Sequence, residues 1–142
     1  MRNTLRAGFT LVEILIVVVI LGILAAIVVP QFTNATMDAQ AGNLKAQLVS
    51  LQSQIELYRA KNQSLHPFST ADWSRMAPPT ADYIKAPPKN PASSYAAKDS
   101  ISIGAAGSGS ATTSWFYRTT NNTLYASFFD EANGVVTTTG TD

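Results

Sequence analysis

The sequence predicts an α+β protein in which one long N-terminal helix precedes a small C-terminal antiparallel sheet. Residues 9–29 are almost wholly apolar, and residues 31–62 repeat apolar side chains at helical spacing. Residues 100–142 instead alternate short β-prone runs with turn residues. Six of the seven prolines fall between Pro67 and Pro91, so an irregular connector, residues 63–99, separates the helix from the sheet.

The composition narrows the class of protein. The chain has 142 residues, ten Lys and Arg against nine Asp and Glu, and no cysteine. Without a cluster of basic residues, nothing indicates binding to nucleic acid. The lack of cysteine excludes disulfides and thiolate metal sites. Because much of the apolar content lies near the N-terminus, the folded domain must be smaller than the chain.

Residues 9–29 are long and apolar enough to cross a membrane. Only Thr10 and Glu13 are strongly polar among them, and as a helix they would span roughly 32 Å against a hydrocarbon core about 30 Å thick. Arg2 and Arg6 precede this segment. Because basic residues stay in the cytoplasm, we expect the rest of the chain to face outward.

Two ordinary interpretations of this segment leave Glu13 unexplained. A conventional signal peptide would be cut after Ala35, behind small residues at Thr33 and Ala35, but its apolar region is normally shorter. A plain membrane anchor is the other interpretation. Neither gains anything from a carboxylate in an apolar helix, where a charge is costly.

The stretch "GFTLVEILIVVVILGILAAIVVPQF", residues 8–32, resembles the prepilin signature of type IV pilins and of type II secretion pseudopilins. The resemblance implies that a prepilin peptidase cuts between Gly8 and Phe9 and N-methylates the new amine on Phe9, while the helix is retained. It also implies that Glu13 pairs with the Phe9 amine of a neighbouring subunit in a helical fibre. Such a buried ion pair would fix the register of the helices.

Gly22 and Pro30 allow two interpretations. Membrane helices carry more Gly and Pro than soluble ones, and Pro30 would simply kink the helix as it leaves the bilayer. The resemblance instead implies a segment that unwinds when a subunit moves from the membrane into a fibre. Gly22 weakens a helix and Pro30 removes a hydrogen-bond donor, so both residues permit unwinding.

The second half of the helix, residues 30–62, is predicted to be amphipathic. Its apolar stripe should pack on the sheet, although the heptad-like spacing also permits a coiled coil. The residues of the stripe are Met37, Ala41, Leu44, Leu48, Leu51, Ile55 and Tyr58.

The connector and sheet are predicted from shorter patterns. The connector segments "IELYRAKNQSLHP" and "YIKAPPKNPASSY" resemble major pseudopilins, and residues 72–76 are expected to form one helical turn. "SISIG", "SWFYRTTNNTLYASFF" around its Asn-Asn turn, and "ANGVVTTT" predict three or four antiparallel strands. Core packing against the helix explains the aromatics better than a ligand groove does. These aromatics are Trp115, Phe116, Tyr117, Tyr125, Phe128 and Phe129.

No catalytic residue is predicted. Gly104, Gly107 and Gly109 lack the Lys-Ser or Lys-Thr of a phosphate-binding loop. The single histidine, His66, has no nucleophile or acid at a catalytic spacing. We therefore expect a structural protein and not an enzyme.

Calcium is the one cofactor that the resemblance suggests, because major pseudopilins commonly bind it in a C-terminal loop. The local oxygen ligands are Asp130, Glu131, Asn133 and Asp142. The stretch "DEANGVV" does not align with the acidic loop of that family, and calcium needs six to eight oxygens. Surface turn residues are the alternative interpretation.

The resemblance implies a lollipop-shaped fibre subunit with five segments. These are a cytoplasmic leader (1–8), a transmembrane and assembly helix (9–29), its amphipathic continuation (30–62), the connector (63–99) and the sheet (100–142). The expected fibre is the pseudopilus of a type II secretion system, favoured by the connector and the lack of a cysteine pair. A type IV pilus for adhesion, motility or DNA uptake is the alternative, and an exported enzyme or binding protein is the rival from another class.

The expected partners follow from the same resemblance. They are further copies of the chain, a prepilin peptidase, minor pilins or pseudopilins, and an assembly platform in the bacterial inner membrane. The expected location is that membrane, with the C-terminal domain in the periplasm, and then a periplasmic or surface fibre.

Overall fold

The computed structural model describes residues 8–79, 82–107, 109 and 112–137. One long helix, α1 (Leu11–Lys61), is followed by five short strands. The strands are β1 (Ile101–Gly104), β2 (Trp115–Arg118), β3 (Thr123–Ala126), β4 (Phe129–Asp130) and β5 (Val135–Val136). The α+β fold class is therefore confirmed. Asp142 and the basic residues of the leader lie outside the described residues.

Helix α1 runs through both Gly22 and Pro30 without interruption. Its last turn carries Arg59 and Lys61, whose positive charges suit the negative end of the helix dipole. The helix then ends where Ser64, in the left-handed region with φ 64°, donates its N–H to the Arg59 carbonyl at 2.8 Å. The chain divides into two compact units, residues 1–36 and residues 37–142.

Within residues 37–142 the predicted stripe of α1 forms one wall of the hydrophobic core. Six of its seven members are buried, and Leu44 and Ile55 are fully inaccessible. Met37 is the exception, because it remains 38% exposed one helical turn before the first buried position, Ala41. The buried members of the stripe are Ala41, Leu44, Leu48, Leu51, Ile55 and Tyr58.

The connector also supplies core side chains, which the sequence did not predict. Phe68, Trp73 and Met76 are buried in the same cluster as the helix stripe, and the Phe68 and Trp73 rings meet edge to face at 5.1 Å. The expected turn at residues 72–76 is present as one turn, in which the Trp73 carbonyl accepts hydrogen bonds from Met76 N and Ala77 N at 2.9 Å.

The three-stranded sheet has the order β1-β2-β3. Strands β2 and β3 are antiparallel around the Asn-Asn turn, where Asn122 has φ 56°. Strands β1 and β2 are parallel, with Ile101 opposite Trp115, which differs from the expected all-antiparallel sheet. Residues 105–114 connect these two strands in the sequence. Strands β4 and β5 form a separate antiparallel hairpin.

Alternation along the strands divides the aromatic residues between two faces. Trp115 and Tyr117 are fully buried in the core cluster with the helix stripe, and Phe129 also joins it. Phe116 is buried on the other face, where a Cβ on Gly104 would lie 2.8 Å from its ring. Phe116, Tyr125 and Phe128 lie outside the core cluster, so the prediction that all six aromatics cover the helix was wrong for these three.

Candidate assembly segment and C-terminal loop

Helix α1 begins with a reciprocal capping box formed by Thr10 and Glu13. The Glu13 carboxylate oxygen Oε2 accepts hydrogen bonds from Thr10 N and Thr10 Oγ1, both at 2.8 Å. In return, Glu13 N donates to Thr10 Oγ1 at 3.2 Å. This arrangement satisfies backbone donors that the first helical turn would leave unpaired.

This role of Glu13 was not predicted from the sequence, although the signal is present. Thr10 followed three residues later by Glu13, just before an apolar run, is the sequence pattern of a capping box. The carboxylate also lies near the positive end of the helix dipole. Glu13 therefore has a stabilising function in the single chain, before any pairing with another subunit.

Glu13 has no cationic partner among the described residues. The one salt bridge found there joins Arg59 Nη1 to Glu56 at 3.0 Å, within the last turns of α1. Within residues 8–79, 82–107, 109 and 112–137, Glu13 is thus hydrogen-bonded but not paired with a positive charge. A cation placed near it would complete the pairing.

Gly8 and Phe9 lie before the helix, next to the capping box. Gly8 is exposed, and a Cβ built on it would meet no atom within 4 Å. The Phe9 side chain is 83% exposed. The peptide bond between these residues is therefore open to an enzyme in the isolated chain.

Residues 9–32, which are Phe9, Thr10 and the first part of α1, expose their apolar side chains among the described residues 8–36. The exposed fractions of the large side chains range from 42% at Val28 to 83% at Phe9. The space beside Gly22 is also open, since an added Cβ would meet no atom outside the neighbouring helix backbone within 4 Å. Within the described part of the chain, α1 is the single helix whose length and composition would let it span a membrane.

The loop between β4 and β5 is organised around the Asp130 carboxylate. Its Oδ1 accepts hydrogen bonds from Ala132 N at 2.9 Å and Asn133 N at 3.0 Å. Its Oδ2 accepts one from Asn133 Nδ2 at 2.5 Å. The side-chain and backbone donors of Asn133, with Ala132 N, lower the pKa of Asp130 below its usual value.

The predicted calcium ligands do not form a metal site in the described residues. Asp130 and Asn133 come together, but they hydrogen-bond to each other. Glu131 instead lines a groove of about 390 Å³ beside Leu48 and Gln52 of α1. No three His, Asp or Glu side chains of the described chain are grouped to hold an ion. The described candidates Asp130, Glu131 and Asn133 do not present a set of oxygens that fits calcium, and Asp142 lies outside the described residues.

The fold and the N-terminal segment together define an α+β protein with a candidate membrane helix, α1, whose first turn is capped by the Glu13 carboxylate. A protein-family model, described as the prokaryotic N-terminal methylation motif, matches residues 3–29 of this chain. Type II secretion system core protein G of Klebsiella pneumoniae is 32% identical over 96 residues, which are 61% of this chain and 69% of that protein. The chain therefore belongs to the family of type IV pilins and type II secretion pseudopilins.

Other relatives match over shorter stretches. The core protein G of Pseudomonas aeruginosa is 40% identical over 62 residues, and the match covers 44% of each chain. The type IV major fimbrial protein FimA of Dichelobacter nodosus is 42% identical over 54 residues, which cover 38% of this chain and 35% of FimA. The chain thus matches less than half the length of these two relatives. No solved structure gives a significant match.

Proposed function

We propose that this chain is the precursor of a fibre subunit, cut between Gly8 and Phe9 and N-methylated on the new Phe9 amine. One observation carries the proposal: Glu13, whose carboxylate caps α1 and has no cationic partner among the described residues, lies near the start of an exposed apolar segment, residues 9–32. That segment falls within the match to the methylation motif. In this proposal α1 first anchors the subunit in the membrane and later packs against other copies of α1.

Cleavage would supply a positive charge that can pair with the Glu13 carboxylate. Hydrolysis after Gly8 creates a cationic amine on Phe9, four residues before Glu13. In the precursor, the Thr10 hydrogen bonds satisfy the carboxylate locally. In a fibre, the Phe9 amine of a neighbouring subunit would neutralise it, and the pair would select one stagger among many sliding apolar contacts. Gly22 and Pro30 would allow α1 to unwind locally during this transfer.

We propose a type II secretion pseudopilus as the fibre, because relatives named type II secretion system core protein G include the one matched over 69% of its length. A type IV pilus is the second candidate, supported by the FimA relative. Deletion of the gene distinguishes the two. Exported proteins should accumulate in the periplasm in the first case, whereas surface pili should disappear in the second.

The proposed topology places the N-terminus in the cytoplasm and residues 37–142 in the periplasm. Arg2 and Arg6 precede the apolar segment and favour this orientation. The partners would be a prepilin peptidase, the inner-membrane assembly platform, minor pseudopilins and further copies of this chain.

The mature N-terminus tests the proposed processing directly. Mass spectrometry of the protein purified from membranes should identify an N-terminal peptide that begins at methylated Phe9. An N-terminus after Ala35 would instead identify a conventional signal peptide and contradict the proposal. An unprocessed Met1 in cells with an active prepilin peptidase would contradict it as well.

A further inference from the structure

In the turn of the β4–β5 hairpin, four hydrogen bonds are accepted by oxygens of Asp130. Three donors reach the Asp130 carboxylate, two from the backbone of Ala132 and Asn133 and one from the Asn133 amide. Gly134 N donates to the Asp130 carbonyl at 2.8 Å, with Gly134 in the left-handed region at φ 68°. The turn therefore closes through contacts within residues 130–134.

These donors occupy the oxygens that a metal would need. An ionised carboxylate offers about four lone-pair positions, and three are taken here. Two of the donors are backbone N–H groups, which cannot rotate away while the hairpin persists. A calcium ion at about 2.3–2.6 Å from these oxygens would face the positive ends of the N–H dipoles.

The orientation of Asn133 adds a second obstacle to metal binding. Its Nδ2 lies 2.5 Å from Asp130 Oδ2, a contact that a second oxygen without a proton would not make. The hydrogen-bond network thus assigns the NH₂ group to this side. The Asn133 amide oxygen then points away from Asp130, so the two side chains do not present their oxygens to one ion.

The hairpin is also anchored by its strands. Phe129 pairs with Val136, and Asp130 pairs with Val135. Phe129 is 3% exposed and belongs to the hydrophobic core, while Thr137 N donates to the Phe128 carbonyl at 2.9 Å. Core burial of Phe129 and the pairing of β4 with β5 fix the two ends of the loop. Hydrogen bonds from Ala132 and Asn133 to the Asp130 carboxylate fix the residues between them.

We propose that the β4–β5 loop of this chain folds without calcium, and that Asp130 acts as a hydrogen-bond acceptor in the place where a metal ion would organise such a loop. The C-terminal fold would then be insensitive to the calcium concentration outside the cytoplasm. This inference concerns the folded subunit and does not depend on its assembly into a fibre.

Thermal unfolding of the full-length protein in detergent tests the inference. We expect the unfolding midpoint, followed by circular dichroism, to be the same in excess chelator and in calcium at about 10⁻³ M, where extracellular calcium modules are loaded. An increase in the midpoint on adding calcium, with magnesium as the ionic-strength control, would overturn the proposal.

Two substitutions at Asp130 separate hydrogen bonding from metal binding. Asp130→Asn keeps an oxygen for the two backbone donors, and Asn133 can rotate its amide to match. We expect it to unfold close to the wild type, whereas Asp130→Ala should unfold about 4–8 °C lower with or without calcium. Asp38→Ala, which removes a carboxylate from an exposed helical position, is the matched control.

A metal-dependent loop would give the opposite pattern. The wild type in chelator would then unfold at the same temperature as Asp130→Ala, and Asp130→Asn would lose any response to calcium. Calorimetric titration of the wild type with calcium chloride would also detect calcium binding that involves Asp142. Stoichiometric binding that Asp130→Asn or Asp142→Asn abolishes would overturn the proposal even if Asp130→Ala failed to fold, and the absence of binding heat would support it.

Discussion

The Gln52 side chain on α1 hydrogen-bonds the backbone on both sides of Thr123, the first residue of β3. Gln52 Oε1 accepts the N–H of Leu124 at 3.1 Å, and Gln52 Nε2 donates to the Asn122 carbonyl at 3.0 Å. Strand β3 lies at the edge of its sheet. The amide therefore replaces the neighbouring strand that this edge lacks and ties the helix to the sheet.

Gln52→Ala should destabilise residues 37–142 without changing the helix itself. The substitution leaves the Leu124 N–H and the Asn122 carbonyl without the Gln52 amide, which costs about 1–3 kcal/mol. Gln47→Ala is the control, because the Gln47 amide donates to Asn43 on the same helix. Chemical denaturation should show a large loss for Gln52→Ala and a small change for Gln47→Ala. Equal losses would mean that the Gln52 contact to β3 contributes little.

Asn90→Asp should produce a protein whose stability falls as the pH rises. Asn90 is fully buried and donates Nδ2 to the carbonyls of Ser114 and Ser127 at 2.8 and 2.7 Å. A carboxylate would face both carbonyl oxygens, so the folded state would raise the pKa of the new acid.

The sign of this effect follows from proton linkage. Because the pKa of the new acid would be raised on folding, the variant keeps its stability below the unfolded value of about 3.9 and loses up to about 1.4 kcal/mol per pH unit above it. Asn43→Asp, at an exposed helical position where an acceptor suffices, is the control. A flat stability profile for Asn90→Asp between pH 4 and roughly pH 7 would contradict the assigned donor role.

The Asp130 carboxylate should titrate below its usual range, and its loop should loosen when it is protonated. The Asn133 donors and Ala132 N lower the pKa of Asp130. The carboxylate therefore stabilises the loop above the unfolded value of about 3.9 and ceases to do so as the pH falls through the lower folded value. An NMR titration should show the Ala132 and Asn133 amides shifting together below that pH. A midpoint at or above the unfolded value would show that these donors do not favour the charged form.

Gly8→Glu should block processing and leave the precursor in the inner membrane. Gly8 has no Cβ beside the proposed scissile bond, and it is exposed, so a peptidase can approach the backbone closely. Glutamate would add bulk and charge there. Intact-mass measurement should find the full-length chain. Mature protein of normal mass in this variant would place the cleavage site elsewhere.

Features that depend on a local pattern of residues, such as the apolar stripe of α1 and the turn between β2 and β3, were predicted from the sequence. The stripe from Ala41 to Tyr58 follows helical periodicity, and the Asn-Asn turn has residues that tolerate positive φ. Both features depend on residues close in the chain, which is why they could be predicted.

The remaining features depend on contacts between residues far apart in the chain. Phe68 and Trp73 enter the core from a proline-rich connector that has no periodicity. The parallel pairing of β1 with β2 joins residues 14 positions apart in the chain, and the alternation within each strand does not specify the direction of pairing. The capping box is different, because Thr10 and Glu13 are three residues apart and their spacing already indicates it. It was missed because the interpretation of Glu13 rested on its charge alone.

Glu13 has two functions in this account, and two substitutions separate them. Glu13→Gln keeps an oxygen that can accept the Thr10 hydrogen bonds but removes the charge. Thr10→Val removes the hydroxyl of the capping box and leaves the carboxylate in place. Capping should matter for the start of α1, whereas charge pairing with the Phe9 amine should matter for assembly.

The most direct test is to measure processing and fibre formation together for Glu13→Gln, with Thr10→Val as the matched control. Methylated mature protein in the inner membrane would be quantified by mass spectrometry, and fibres would be counted by electron microscopy with an antibody to residues 37–142. We predict that both variants are cut at Gly8, that Thr10→Val builds fibres, and that Glu13→Gln does not, because the Phe9 amine is left unpaired. Glu13→Gln fibres of wild-type number and length would contradict the central claim that this carboxylate directs assembly.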